Sequence, residues 1–282
     1  PLPETRCGPV HRYDPAMISR LPGLSLPERA WGVVRRWALA WWRILYLGAV
    51  VCVLVLSPSS YGKVTRRALA RHLYLDTAPV LLGFTVLAAL ISLVLTRIVI
   101  VTAISYGLSR YALEMVIRVL VLELIPLTAA LFVAMRCTIP NGTQLALLRQ
   151  SGHLARLSHA GADPIRVELL PRAVAGVFAC ITLAALSCVV ALVLAYLGVY
   201  GFSLAGLPSY TRMFGHVFAP AVTLVFVIKT VLFSLAVALI PMAAGLYDTG
   251  ERTQPDSELG GLARMFAVLL LIEIGSLVGN YY

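Results

Sequence analysis

The sequence predicts an all-α, polytopic membrane protein: five transmembrane helices, an N-terminal interfacial amphipathic helix before them, and a short helix in one connecting loop. Three observations carry that prediction. Hydrophobic residues make up 60% of the 282, and the mean hydropathy is +0.87. Charged residues are only 13%, about half the share of an ordinary soluble domain. The apolar residues gather into six long runs, near 37–56, 79–104, 112–138, 172–200, 219–245 and 261–282. Each supplies the roughly 20 helical residues that a hydrocarbon core requires. The net charge of +10 is therefore expected at a membrane surface, and no nucleic-acid partner is expected.

The first run differs from the others. Arg35, Arg36, Trp37, Trp41, Trp42 and Arg43 load its start with residues that prefer the headgroup layer. If it crossed the bilayer, Lys63, Arg66, Arg67 and Arg71 would lie on the opposite face from Arg29, Arg35 and Arg36. If instead it lies in the interface, over about 28–58, the basic residues become one-sided. Eighteen of the 23 Lys and Arg then fall in residues 1–78, 136–172 and 246–264, two (Arg110 and Arg212) fall in the other loops, and three lie within spans. The positive-inside rule selects five spans, a cytoplasmic N-terminus and an external C-terminus, with six spans as the disfavoured alternative. The domain organisation is an N-terminal extension over 1–27 and a membrane domain over 28–282. No signal-peptide-like apolar stretch occurs in the first 26 residues, so insertion is expected through the internal segments.

The loop between the second and third spans carries the added helix. From Thr143 to Ser158 the pattern is helical, and Arg149, His153 and Arg156, at i, i+4 and i+7, make one basic stripe. A turn at Gly161 follows. Asp163-Pro164 then signals a helix start, an acceptor at the N-cap before a residue whose φ is already helical. The stripe either docks a partner or faces water and lipid phosphates.

Six charged residues sit inside apolar runs: Arg97, Glu114, Arg118, Glu123, Lys229 and Glu273. An ionised side chain at mid-span costs about 2.5–3.5 kcal/mol even on lenient insertion scales, so each needs a partner or water. Glu114 and Arg118 are one turn apart and can pair within their own helix. Glu123 and Lys229 have no such neighbour and stand near the middle of their spans. They either meet across helices or line a wet cavity, which makes them the candidate substrate-cavity residues. Glu273 has no local partner either. Pro126 and Pro241 fall inside spans and invite kinks. Gly275 and Gly279 form a GxxxG pair on the last span.

Catalytic and nucleotide-binding patterns are missing. Gly62-Lys63 has Ser57 where a Walker A loop begins and Val64 where Ser or Thr should follow. The five histidines form no HExxH, and there is no GxSxG elbow. Cys7, Cys52, Cys137, Cys180 and Cys188 show no metal-ligand spacing and read mostly as small apolar side chains. The chain is expected to be non-catalytic, without metal or cofactor of its own; any ATP is bound and hydrolysed by another chain.

The stretch from Glu123 to Arg172 resembles the signature of the MlaE family, permease subunits of ABC transporters that move lipids between or across bacterial envelope membranes. The resemblance rests on Glu123-Leu124-Ile125-Pro126, Ala134-Met135-Arg136, Leu147-Leu148-Arg149, Ala162-Asp163-Pro164-Ile165-Arg166 and Pro171-Arg172. Val227-Ile228-Lys229-Thr230-Val231-Leu232-Phe233 is similar to the family's fourth span, and the likeness covers about 28–282. Departures occur at Leu122, Ile125, Gln144 and Ser151-Gly152-His153, where the family carries arginine, glycine and two coupling-segment acids. The resemblance implies a divergent member, and one half of a heterodimer is compatible with the altered charge.

By that resemblance, the helix over about 143–158 is the coupling helix that docks into a cytoplasmic ABC ATPase, with Arg149, His153, Arg156, Asp163 and Pro164 at the coupling surface. The implied partners are that ATPase, a ring of MCE-domain proteins, a STAS-domain subunit, a second permease copy or paralogue, and membrane lipid. The implied location is the bacterial inner membrane. The implied function is ATP-driven transport of phospholipid or related lipid. An ion-coupled secondary transporter, or a non-transporting scaffold of an MCE complex, are the alternatives.

Overall fold

The computed structural model describes residues 26–57, 63–107, 109–161, 163–247 and 255–281. The described residues are almost all helical and include no strand, as an all-α membrane protein requires. The helices are α1 (Leu26–Leu56), α2 (Lys63–Ser105), α3 (Ser109–Val116), α4 (Ile125–Val133), α5 (Ile139–Gln150), α6 (His153–His159), α7 (Leu170–Tyr200), α8 (Leu207–Val217), α9 (Pro220–Tyr247) and α10 (Pro255–Tyr281). Wider π-helical stretches at Ile117–Leu124, Ala134–Thr138 and Ile165–Leu169 lead into α4, α5 and α7. Most of the N-terminal extension, residues 1–25, lies outside the described residues.

The chain divides into two units, 1–42 and 43–282. In the first, the opening of α1 exposes Trp37 and Trp42, and the rings of Trp37 and Trp41 meet edge to face with centroids 5.7 Å apart. The second unit holds the helix bundle.

Proline shapes the second of the five spans. Pro126, Pro140 and Pro171 each stand at the start of the helix that follows a π-helical stretch. Proline has no N–H and its ring crowds the preceding turn, and widening that turn lets a helix continue through it. The apolar helix therefore runs on from Leu113 to Gln150, well past the expected end near 138. The loop helix predicted from Thr143 is thus the continuation of the span, entered at Pro140.

The helices alternate in direction. The start of α2, the end of α5, the start of α7, the end of α9 and the start of α10 come together at one end. Asn141 reaches Asp76, Arg149 reaches Leu246, and Gly261 stands beside Ala244. That end gathers the basic residues of 136–172, so five passes connect it with the opposite end, where α8 sits. Helix α2, with 43 residues, is about 65 Å long at roughly 1.5 Å per residue, twice the thickness of a hydrocarbon core. Its first turns, with exposed Arg66, Arg67 and Arg71, extend beyond the expected span at 79–104.

By length and composition, six helical stretches could cross a membrane, Trp37–Leu56 of α1 among them. The count of five accordingly rests on the basic-residue distribution and not on helix length. From Arg43 onward, α1 buries Leu47, Val51 and Leu54 with Leu145, Leu169, Leu170, Met242 and Ala243, all from the basic end.

Small residues allow the passes to approach closely. Helix α7 packs against α2, α4 and α9, and its inward face is Ala173, Ala175, Gly176, Ala179, Ala184, Ala191 and Ala195. In lipid there is no water to drive helices together, so close van der Waals contact holds them. A Cβ on Gly176 would stand 2.8 Å from Thr138 Cγ2. The tightest crossing joins α5 to α9: a Cβ on Gly142 would stand 2.6 Å from the Pro241 carbonyl oxygen, and one on Gly245 would overlap the Gly142 carbonyl oxygen. A Cβ on Gly275 would meet nothing within 4 Å and one on Gly279 only ordinary contact with Val225 of α9, so no close helix approach within the chain requires the GxxxG pair. Cys137, Cys180 and Cys188 are buried free thiols while Cys52 is exposed; Cys7 lies outside the described residues.

The α5–α9 crossing generates a paired test. Gly142→Ala and Gly245→Ala are each expected to destabilise the purified protein by about 1–3 kcal/mol through overpacking against backbone that cannot yield. Gly275→Ala should leave the thermal midpoint in detergent unchanged. Equal midpoints for all three variants would show that α5 and α9 are not in backbone contact.

Candidate functional site

The charged cluster inside the bundle follows from Pro126. Its missing N–H frees carbonyls in the turn before it, and two side chains take them. The Cys188 thiol of α7 donates to the Val121 carbonyl at 3.7 Å, and Lys229 Nζ of α9 donates to the Leu122 carbonyl at 3.3 Å. The Lys229 ammonium also contacts the Glu123 carboxylate, and it lies 3.0 Å from Glu273 Oε2 of α10. The contact with Glu273 is an ion pair, and its buried Oε2 has no hydrogen-bond partner among the described residues. Asn280, two turns beyond Glu273, donates from Nδ2 to Glu123 Oε1 at 3.3 Å. The Lys229 side chain is 1% exposed, and those of Glu123 and Glu273 are 13% and 15%. Burial at that level is tolerated only because counter-charges and hydrogen bonds surround the ion.

A second polar assembly holds the basic end. Asn141 Nδ2 of α5 donates to Asp76 Oδ2 of α2 at 2.9 Å, and the Cys137 thiol donates to the Asp76 carbonyl at 3.1 Å. Arg172, buried at the start of α7, pairs with Glu168 one turn earlier, and Glu168 also lies 3.8 Å from His153 Nε2 of α6. Arg149 Nη1 donates to the Leu246 carbonyl at 2.7 Å, satisfying a carbonyl that the end of α9 leaves without an intrahelical partner. Together with the Gly142–Gly245 crossing, these contacts tie α5 and α6 to α2, α7 and α9.

The family model for the permease MlaE matches residues 69–277. The chain belongs to the MlaE permease family. No curated protein matches the sequence. Membership makes it a multi-pass membrane permease of the ABC lipid-transport type, and the match spans both the buried cluster and the basic end.

Of the two arrangements open to Glu123 and Lys229, the permease adopts the cross-helix pair. Glu273, which had no partner in the sequence, is the third member, and Asn280 the fourth. Glu114 and Arg118 pair within their own helix at 3.1 Å, as their spacing predicts. Arg97 is exposed on the outer face of α2. Asp163 acts as expected at a helix start, accepting from the Ile165 N–H at 3.0 Å just past Pro164.

The basic stripe is corrected. A single helix over 143–158 would align Arg149, His153 and Arg156, but α5 ends at Gln150 and α6 begins at His153. Between them Ser151 and Gly152 close the α5 terminus, Ser151 N–H to the Leu147 carbonyl at 2.9 Å and Gly152 N–H to the Arg149 carbonyl at 3.0 Å. Gly152 has φ +70°, the left-handed conformation that glycine adopts without strain. The break sends the three side chains apart: Arg149 to α9, His153 toward Glu168, and Arg156 into the open. Asp76, Asn141 and Glu168 were missed by sequence reasoning. Their signal was an acid one turn before an apolar run, an asparagine directly after Pro140, and an acid four residues before Arg172.

Removing Lys229 leaves two carboxyl groups buried without their cation, the costly way to break a buried pair. Lys229→Ala is expected to lower stability by about 3–5 kcal/mol, read as a fall in the thermal midpoint or a loss of monodisperse protein in detergent. Glu123→Gln keeps the shape and leaves Lys229 its Glu273 partner, so its effect should be clearly smaller. A larger loss for Glu123→Gln than for Lys229→Ala would contradict the arrangement.

Proposed function

We propose that this chain is the transmembrane permease subunit of an ABC transporter that moves phospholipid or related lipid across or between envelope membranes, powered by a separate ATPase. The observation that carries the reading is the family match over residues 69–277. The packing of α5 against α9 supports a mechanical role, because a helix in backbone contact with a span converts a partner's rigid-body motion into helix rearrangement. In this reading α5 and α6 form the coupling element. Arg156 offers the ATPase an exposed cation, His153 lies beside it on α6, and Asp163 and Pro164 fix the return into α7. Arg149 acts from behind, by holding α5 to the end of α9.

The same reading places the protein in the bacterial inner membrane, with the basic end cytoplasmic and five spans. Support comes from the one-sided lysines and arginines and from the basic-end contacts of α1 between Leu47 and Leu54. A second permease copy or paralogue, a ring of MCE-domain proteins and a STAS-domain subunit complete the assembly. ATP is bound by the ATPase and no cofactor by this chain. Glu123 and Lys229 are the polar groups beside the lipid path, Lys229 acting through the carboxyl groups it holds in place.

Reconstitution with the co-purifying ATPase tests the reading. Lipid transfer between vesicles is expected to require ATP and to stop when the ATPase Walker lysine is replaced. Arg156→Glu should uncouple ATP hydrolysis from transfer while the permease still assembles in the membrane. Arg149→Glu should in addition lower the thermal midpoint, since it removes the tie to Leu246. Transfer driven by a proton gradient with no ATPase present would favour an ion-coupled carrier, and absence of any bound lipid or transfer would favour a scaffold. A cysteine at position 150 that labels only from outside would reverse the proposed topology.

A further inference from the structure

The charge cluster is unbalanced. Lys229 contributes one positive charge and contacts two carboxyl groups, from Glu123 and from Glu273. Fully ionised, the three would leave a net negative charge in the apolar interior, at a cost that burial makes large.

No other described side chain supplies the missing cation. The charges acting on Glu273 are those of Lys229 and Glu123. On the second span the nearest cation, Arg118, pairs with Glu114. In α9, Lys229 is the one charged residue, and in α10 no charged residue other than Glu273 follows Arg264. From α7 the titratable group nearby is the Cys188 thiol, which donates to the Val121 carbonyl. Asn280 presents its amide N–H to Glu123 and carries no charge.

The placement of the carboxyl groups points the same way. Both stand against the one Lys229 ammonium, and the buried Glu273 Oε2 has no hydrogen-bond partner among the described groups. Two carboxylates are acceptors only and cannot bond to one another, whereas a carboxylic acid donates to a carboxylate. Like charges this close do not both ionise when a proton can be shared.

We propose that Glu123 and Glu273 form a proton-binding site that holds one proton between them at neutral pH, so that the Lys229–Glu123–Glu273 cluster is electrically neutral. The proton is part of the packing, because it is the donor that joins the second span to α10 while Lys229 joins both to α9. Moving α10 away from α9 separates the two carboxyl groups and releases the proton to water. The site belongs to this chain alone and stands whether or not the lipid-transport reading does.

Infrared spectroscopy of the full chain in lipid nanodiscs, with isotope-labelled glutamate, tests the site. At neutral pH the wild-type protein should show the C=O band of a protonated glutamic acid. Glu123→Gln and Glu273→Gln should each abolish it, because the remaining carboxylate then pairs with Lys229 alone. The nearly isosteric substitutions keep the cluster filled. If either variant fails to fold, alkaline titration of the wild-type protein gives the answer without it: the labelled band should fade as a single proton leaves. Absence of the band at neutral pH, or a band that survives both substitutions, would overturn the proposal.

Discussion

An ammonium group in the middle of an apolar helix bundle has to be answered from every side. The Lys229 ammonium donates to a backbone carbonyl freed by Pro126 and to Glu123, and it pairs with Glu273 on a further helix. Three passes are thereby held in register by one side chain. This is a matter of specificity as much as stability, since apolar surfaces alone give helices in lipid little reason to prefer one register over another. A one-turn slip of α10 would carry Glu273 away from Lys229 and leave its carboxyl group without that cation.

The basic end works by a different principle. There the helices are joined by backbone proximity, glycine against glycine, and the polar side chains close the gaps that helix ends leave. Arg149 illustrates how the two devices combine: α5 comes near enough to α9 at Gly142 and Gly245 that an arginine two turns on can serve the Leu246 carbonyl. The consequence is mechanical continuity from the outer surface of the basic end to the spans. A permease driven by a partner needs that continuity, and it needs it in few contacts, because each additional one would stiffen the bundle against movement.

Much of the architecture was legible in the residues. Run length and charge asymmetry yield the helical membrane bundle, since a bilayer imposes its thickness and its surface chemistry on any sequence that crosses it. Motif order along Glu123–Arg172 points to the family. The intrahelical pair Glu114–Arg118 and the helix start at Asp163 are local events, settled within one turn, and local periodicity is what a sequence displays openly. The second span's extension through Pro140 was not legible, because proline normally marks a boundary and only the preceding wide turn lets the helix pass. The break at Gly152 was concealed for the opposite reason: a helical spacing of three basic residues persists on paper across a glycine that reverses the chain.

Composition and order of residues therefore determined by themselves that the chain is a lipid-embedded bundle of the MlaE type, with its positive charge on one side. Solvent and chain periodicity act on each segment separately, and no knowledge of neighbours is required. Which charges meet was decided only by the tertiary structure. Glu123, Lys229 and Glu273 lie on three helices separated by up to 150 residues, and their encounter depends on the rotation of each helix about its own axis. The small faces of α7 and the glycine crossing of α5 with α9 let those helices approach closely, a contact that only the folded chain makes.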